Sequence, residues 1–151
     1  MSQEKTPTPP AAGCGGDPAA QATTECQKKI KGTPAPIDPT KNSIICKNGK
    51  LVVQNNNSGP DKSCTDAHES SHIRDWKDRY GEDLCNGVAD GSLPVGGEGY
   101  DEFLRKSECT AYAVGKACRQ ELLKTANKAD QPAIQGAIDR DDAQLKGYGC
   151  S

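Results

Sequence analysis

Both histidines of this chain lie in one pentapeptide, His68-Glu69-Ser70-Ser71-His72. On a helix, residues four apart share a face, so both imidazole rings can reach the same metal ion. Glu69 lies to one side, where its carboxylate can take a proton from a water molecule on that ion. Two neutral nitrogen ligands and a nearby carboxylate predict a zinc site that activates water for hydrolysis.

The residues around the pentapeptide predict the helix that this site needs. Ser63 and Asp66 resemble a capping box, so the helix is expected over about residues 64–80, with Gly81 at its end. Its side chains remain polar on the face expected to be buried. Polar residues on a buried face indicate a site rather than ordinary packing.

A third ligand is predicted on a second helix, over about residues 101–124. An apolar stripe at spacings of three and four runs along this helix, and Glu108 is its one charged member. A carboxylate on an apolar seam is unfavourable unless it is paired or bound to a metal, so Glu108 is the predicted ligand. The small residues Ala111 and Gly115 are expected to let another helix approach closely.

The composition predicts a small domain held by disulfides. Of 151 residues, 33% are hydrophobic, with one Phe, one Trp and one Met, while eight are cysteines. The cysteines are scattered and form no C-x-x-C pair, so up to four disulfides are expected rather than a zinc ribbon or a redox site. Disulfides favour a secreted or periplasmic protein. The net charge of −2 gives no electrostatic reason to expect nucleic-acid binding, and no stretch predicts membrane insertion.

The chain divides into two parts by composition. Residues 1–42 are rich in Pro, Ala and Thr, which predicts a wrapping segment or a linker, with Cys14 and Cys26 as its anchors. Residues 43–151 predict the folded domain. Its expected class is α+β, rich in helix and with one β-hairpin.

Three further features complete this domain. Two β-branched runs flank Asn48-Gly49 and predict a hairpin over residues 43–54. The Gly-rich residues 82–100 predict a long loop that could form a wall of a cleft. A last helix is expected to begin at Asp130-Gln131-Pro132, and Cys150 is expected to be tied back by a disulfide.

The pentapeptide on one helix and Ser107-Glu108-Cys109-Thr110-Ala111-Tyr112 on the next resemble the gluzincin branch of the zincin metallopeptidases. The resemblance covers roughly residues 63–124 and implies a small zincin-like fold. It implies His68, His72 and Glu108 as zinc ligands, water at the fourth position, and Glu69 as general base. Some gluzincins carry an aspartate four residues after the ligand glutamate, where this chain has Tyr112.

Two other side chains are candidates for supporting roles. Tyr112 lies one turn beyond Glu108 and is the predicted donor to the oxyanion of the tetrahedral intermediate. Asp75 lies one turn after His72 and can orient a histidine or pair with Arg79 instead.

An alternative third ligand is Asp78, which lies six residues after His72, as in the metzincin spacing. Metzincins need a glycine at the position of Asp75 and a methionine turn, and the only methionine here is Met1. On an unbroken helix Asp78 points away from the histidines. Glu108 is therefore the favoured ligand.

A second function class is a non-catalytic, disulfide-rich binding module with a structural zinc ion. Such a site normally has four protein ligands, and Cys64, one turn before His68, could supply one. A disulfide at Cys64 would remove that ligand and leave the open site of an enzyme.

The cysteines predict an oxidising compartment, yet the polar start of the chain shows no signal peptide. An excised domain or delivery by a specialised secretion system would explain both observations. The combination resembles toxin domains of bacterial contact-dependent or type VI secretion effectors, which act in the periplasm. That resemblance implies a peptide or peptidoglycan-peptide substrate and an immunity or inhibitor protein as partner.

Overall fold

The structure is a computed structural model that describes residues 30–151. In this part the chain forms three helices and two small antiparallel sheets of two strands each. The elements in chain order are β1 (Thr33–Pro36), β2 (Ser43–Lys47), β3 (Lys50–Gln54), α1 (Lys62–Tyr80), β4 (Ser92–Val95), α2 (Tyr100–Thr125) and α3 (Gln131–Gly147). The predicted α+β class is confirmed.

The hairpin lies where the sequence predicts it. β2 pairs with β3 so that Lys47 faces Lys50 across a turn of Asn48 and Gly49. Both turn residues have positive φ, 53° and 77°, which is the conformation of a type I′ turn. Both strands contact α1, and Ile44 of β2 is buried in the core.

The second sheet differs from the sequence-based expectation. β1, in the segment predicted to wrap the domain or act as a linker, pairs with β4, in the segment predicted as a loop, from Thr33 opposite Val95 to Pro36 opposite Ser92. Both strands contain proline, which lacks the N–H that a ladder uses, so the sequence argues against strands here. A sheet of two strands consists of two edges, where proline is tolerated.

α1 begins at Lys62, and its N-terminus differs from the predicted capping box. No side chain caps the helix, and Asp61 occupies the N-cap position. The carboxylate of Asp66 instead accepts a hydrogen bond from Asn55, at 2.8 Å. The capping box of Ser63 and Asp66 is therefore wrong, because a neighbouring loop takes up the acidic side chain.

Three disulfides are present in the described part of the chain. They join Cys46 to Cys85, Cys64 to Cys118, and Cys109 to Cys150. The disulfide predicted at Cys150 is thus confirmed, while Cys14 and Cys26 lie outside the described residues. The disulfides are consistent with an extracellular or otherwise oxidising compartment. Among residues 30–151, no helix has the length and apolar character needed to cross a membrane.

The helices pack in the order α1, α2, α3, with α2 in contact with both others. Ala111 is fully buried, and a Cβ added at Gly115 would lie 3.6 Å from the Cβ of His68 and 2.7 Å from Nη1 of Arg119. An added Cβ would therefore displace the guanidinium of Arg119 on the same helix and would already be in van der Waals contact with His68 of α1. The predicted close approach of the helices is confirmed.

Arg79 fixes the start of α2 against the end of α1. Its guanidinium donates hydrogen bonds to the carbonyls of Gly96, at 3.1 Å, and Glu98, at 2.8 Å. The same group lies 4.9 Å from the ring centre of Phe103, a distance typical of a cation–π contact. Because Glu98 lies two residues before the start of α2, these contacts help to set the position of that helix.

Candidate metal centre

The contact between α1 and α2 brings four predicted site residues together. His68, Glu69 and His72 are buried, and each offers a ligand atom within 4.8 Å of the others. From α2, Oε1 of Glu108 lies 2.8 Å from Nε2 of His72 and 3.6 Å from Nε2 of His68. His68, Glu69 and His72 thus form a group that could hold a metal ion.

The carboxylate of Glu108 is an unusual feature of this group. Its Oε1 is buried and has no hydrogen bond within residues 30–151, although both rings are close. Burial raises the pKa of Glu108, but cationic His68 and His72 beside it lower the pKa to about 2, and a metal cation in place of the ring protons would likewise keep the carboxyl ionised. An anionic oxygen and two ring nitrogens that converge in this way are a donor set suited to a divalent cation.

Ser107 connects His72 to Asp75. Its Oγ donates a hydrogen bond to Oδ2 of Asp75, at 2.6 Å, and lies 2.7 Å from Nδ1 of His72. The one proton of the hydroxyl is donated to Asp75, so the N–H at Nδ1 of His72 donates to Ser107. In the neutral ring, the lone pair is therefore on Nε2, which faces Glu108 as a metal ligand requires.

Asp75 therefore reaches His72 through a serine rather than directly. The sequence pattern does not distinguish Ser107, because a single serine on a helix has no characteristic spacing. Its 2% exposure and its place beside Glu108 identify its role only in the fold.

We expect Ser107→Ala to release His72 from a single neutral tautomer. The chain has two histidines, so nitrogen-15 spectra of histidine-labelled protein show two ring systems. His72 should change from an Nδ1-protonated ring to a mixture, and the metal dissociation constant should rise about 10–100-fold. Ser71→Ala is the matched control, because that hydroxyl binds the carbonyl of His68 at 2.8 Å. Unchanged His72 nitrogen shifts in Ser107→Ala would contradict the assignment.

Glu69 lies beside the ring nitrogens but is not centred between them. Its Oε2 is 3.7 Å from Nε2 of His68, whereas Glu108 is close to both rings. Burial raises the pKa of Glu69, and the two histidines oppose that rise. A buried carboxylate with a raised pKa is a stronger base, which suits proton transfer from water.

Tyr112 lies over His68, with ring centres 4.6 Å apart and an edge-on geometry. Burial, and then the charge of Glu108, raise the pKa of Tyr112 to about 12. The phenol therefore keeps its proton at neutral pH and can donate a hydrogen bond. Tyr148 stacks against it, at 6.0 Å between ring centres.

Two cavities meet at this group. The larger, of about 500 Å³, lies between the N-terminal part of α1 and α3, and the smaller, of about 260 Å³, passes His72 and Glu108. Both are lined by Asn42, His68, Glu69 and Tyr112. Glu69 and His68 therefore face open space from which a ligand can reach them.

Neither of the two alternative ligands is available to the group. Asp78 is exposed on α1 and does not belong to the His68–Glu69–His72 group. Cys64 is bonded to Cys118, so it has no thiolate to offer a metal.

In comparisons with protein-family models, with curated proteins and with solved structures, nothing matches this chain. The functional interpretation of the buried His-Glu-His group thus rests on its own geometry and chemistry.

Proposed function

We propose that the protein is a zinc-dependent hydrolase of peptide bonds, with His68, His72 and Glu108 as the zinc ligands. The observation that supports it best is the buried Oε1 of Glu108, which lies close to both Nε2 atoms and accepts no hydrogen bond from residues 30–151. Leaving such an oxygen unpaired costs about 1–3 kcal/mol or more, which a bound cation would offset. Three ligands plus an open position are typical of catalytic zinc sites.

The alternative of a non-catalytic module with a structural zinc loses support from the Cys64–Cys118 disulfide. A closed site needs four protein ligands. With Cys64 excluded, Glu69 is the nearest remaining candidate for the fourth. The alternative therefore depends on Glu69 being a ligand rather than a base.

In the proposed mechanism, a zinc ion would supply Lewis acidity and a water of lowered pKa. Glu69 takes the proton of the attacking water and returns it to the leaving nitrogen. Tyr112, which keeps its proton and lies over His68, donates to the oxyanion of the substrate. Ser107 and Asp75 hold His72 in the tautomer that a ligand needs.

An extended substrate peptide would add along the edge of β2 opposite β3. Within residues 30–151 this strand pairs only with β3, and the opposite edge is covered near Cys46, whose carbonyl accepts a hydrogen bond from the N–H of Gly91. The backbone of Ile44, two residues earlier, faces the same edge because strands repeat every two residues. Ile44 and Ser43 line the smaller cavity, so a peptide added at this edge would pass the metal centre.

The first test is the zinc content of the purified protein together with peptide hydrolysis. We expect one zinc ion per chain by elemental analysis, and cleavage of a peptide library detected by mass spectrometry. Removing the metal with a chelator should stop cleavage, and adding zinc should restore it. If the protein binds no zinc even after reconstitution, the pentapeptide is a chance match and the proposed zinc site is wrong.

We also propose that this activity is used outside the cytosol, by an antibacterial effector that cleaves periplasmic protein or peptidoglycan peptides and is countered by an immunity protein. The three disulfides support the compartment. Bacteria that express the chain with a periplasmic export signal should grow poorly, and those without the signal normally. Equal growth would remove the effector role and leave the hydrolase proposal intact.

A further inference from the structure

The floor of the larger cavity is a buried ion network. Arg119 binds Asp61 through Nε at 2.7 Å, Asp141 through Nη1 at 2.8 Å, and Thr65 through Nη2 at 3.2 Å. None of these four residues is more than 7% exposed. Both carboxylates therefore already hold a cation, and neither is a free anionic site for a ligand.

The polar groups that remain available in this cavity are mainly donors. Arg140 and Gln144 lie one turn apart on α3 and are exposed at the rim of the cavity. Among the described residues Arg140 forms no hydrogen bond or close ion pair, although its charge acts on the neighbouring Asp141. Asn42 uses its Oδ1 to accept from the N–H of Asn56, at 2.7 Å, which leaves its NH₂ group available. The phenol of Tyr112 completes the set.

The available donors, rather than the net charge, favour a carboxylate here. Three carboxylates (Asp61, Glu69 and Asp141) and two guanidinium groups (Arg119 and Arg140) line the cavity, which gives a net charge of −1 that a divalent cation at the metal centre would offset. A carboxylate entering the cavity meets the guanidinium of Arg140 and several N–H donors, an arrangement that suits charge-assisted hydrogen bonds. An ammonium group would meet two carboxylates that Arg119 already binds and Glu69, which the hydrolytic mechanism needs for water.

We propose that the larger cavity binds a carboxylate of the peptide substrate and that Arg140 determines this specificity. The inference rests on the proposed hydrolase function and adds the substrate class. On the other side of Glu69 the smaller cavity has apolar walls from Ile44, Leu93 and Leu104. The preferred peptide therefore has an acidic group on one side of the scissile bond and an apolar side chain on the other.

The test compares kcat/KM of the zinc-loaded protein for matched quenched-fluorescent peptides. One series places Glu, Gln or Lys at each of the positions that flank the bond, and a second has a free or an amidated C-terminus. These two arms distinguish a side-chain carboxylate from a terminal one. We expect a preference of about tenfold for the carboxylate in one arm, which corresponds to about 1.4 kcal/mol.

Arg140→Glu should abolish this preference or reverse it toward Lys. Lys128→Glu is the matched control, since it makes the same charge change at an exposed position between α2 and α3 and should keep the preference. Equal kcat/KM for all peptides, or a preference unchanged in Arg140→Glu, would overturn the subsite while leaving the hydrolase proposal standing. If no peptide is cleaved, fluorescence anisotropy measures how tightly the same peptides bind. Tighter binding of the Glu peptide that is lost in Arg140→Glu supports the subsite. Equal binding of all peptides rejects it.

Discussion

Replacing Glu69 with glutamine is expected to leave zinc bound and to lower peptide hydrolysis by about 10²–10⁴-fold. Glutamine preserves the size and the packing of this buried side chain but cannot accept a proton from water. The raised pKa of Glu69, which arises from burial, indicates an environment in which the carboxylate is a stronger base than usual. Elemental analysis and kcat/KM for a library-derived peptide provide the two measurements.

The same variant separates the two function classes. If Glu69→Gln keeps zinc and loses turnover, Glu69 is the base of an open catalytic site. If the variant loses zinc, Glu69 is a ligand, and the closed structural site gains support. Glu121→Gln, an exposed glutamate near the end of α2, is the control and should match the unaltered protein in both measurements.

Glu108→Ala should give the opposite result to Glu69→Gln. It removes the oxygen that lies 2.8 Å and 3.6 Å from the two Nε2 atoms, so zinc should be held weakly or lost, and turnover should fall with it. Tight zinc binding in Glu108→Ala would show that another side chain supplies the third ligand.

Local patterns predict the parts of this site that belong to one helix or one turn. The i, i+4 spacing places His68 and His72 on one face, and the Asn-Gly pair sets the hairpin turn. The apolar stripe on α2 isolates Glu108 because a charge on a buried face needs a partner. The small residue Gly115 anticipates the close packing against His68. Each of these inferences needs only a periodicity and a residue type.

Contacts that join distant segments are not predicted in the same way. Ser107 and Asp75 are 32 residues apart, and nothing in their spacing shows that one hydroxyl links a carboxylate to a ring. The network around Arg119 likewise joins Asp61 to Asp141 from the two ends of the domain. The second sheet is not predicted because both of its strands contain proline. Proline argues against a strand in the interior of a sheet, but it is tolerated in edge strands, and a two-stranded sheet has only edge strands. In each case tertiary contacts, rather than the local sequence pattern, determine which hydrogen bonds and strand pairs form.

Removing the disulfide between α1 and α2 should weaken both the fold and the metal site. The double variant Cys64→Ala/Cys118→Ala opens a loop with a sequence separation of 54. Chain entropy then predicts a loss of about 4 kcal/mol in the free energy of unfolding. The bond lies one turn from His68 and joins the helix that carries both histidines to the helix that carries Glu108. We therefore expect the zinc dissociation constant to rise at least about tenfold as well, or about 1.4 kcal/mol.

Cys46→Ala/Cys85→Ala is the matched control for this expectation. Its sequence separation of 39 predicts a similar loss of stability, but the bond ties β2 to the segment after α1 and does not join two ligand-bearing helices. Urea unfolding and competition with a zinc chelator give the two quantities for each variant. Lower zinc affinity in the Cys64/Cys118 variant alone means that this disulfide positions the ligands. An equal fall in both variants would assign the effect to global stability, and no fall in either would show that packing around Ala111 and Gly115 is sufficient to hold the helices together.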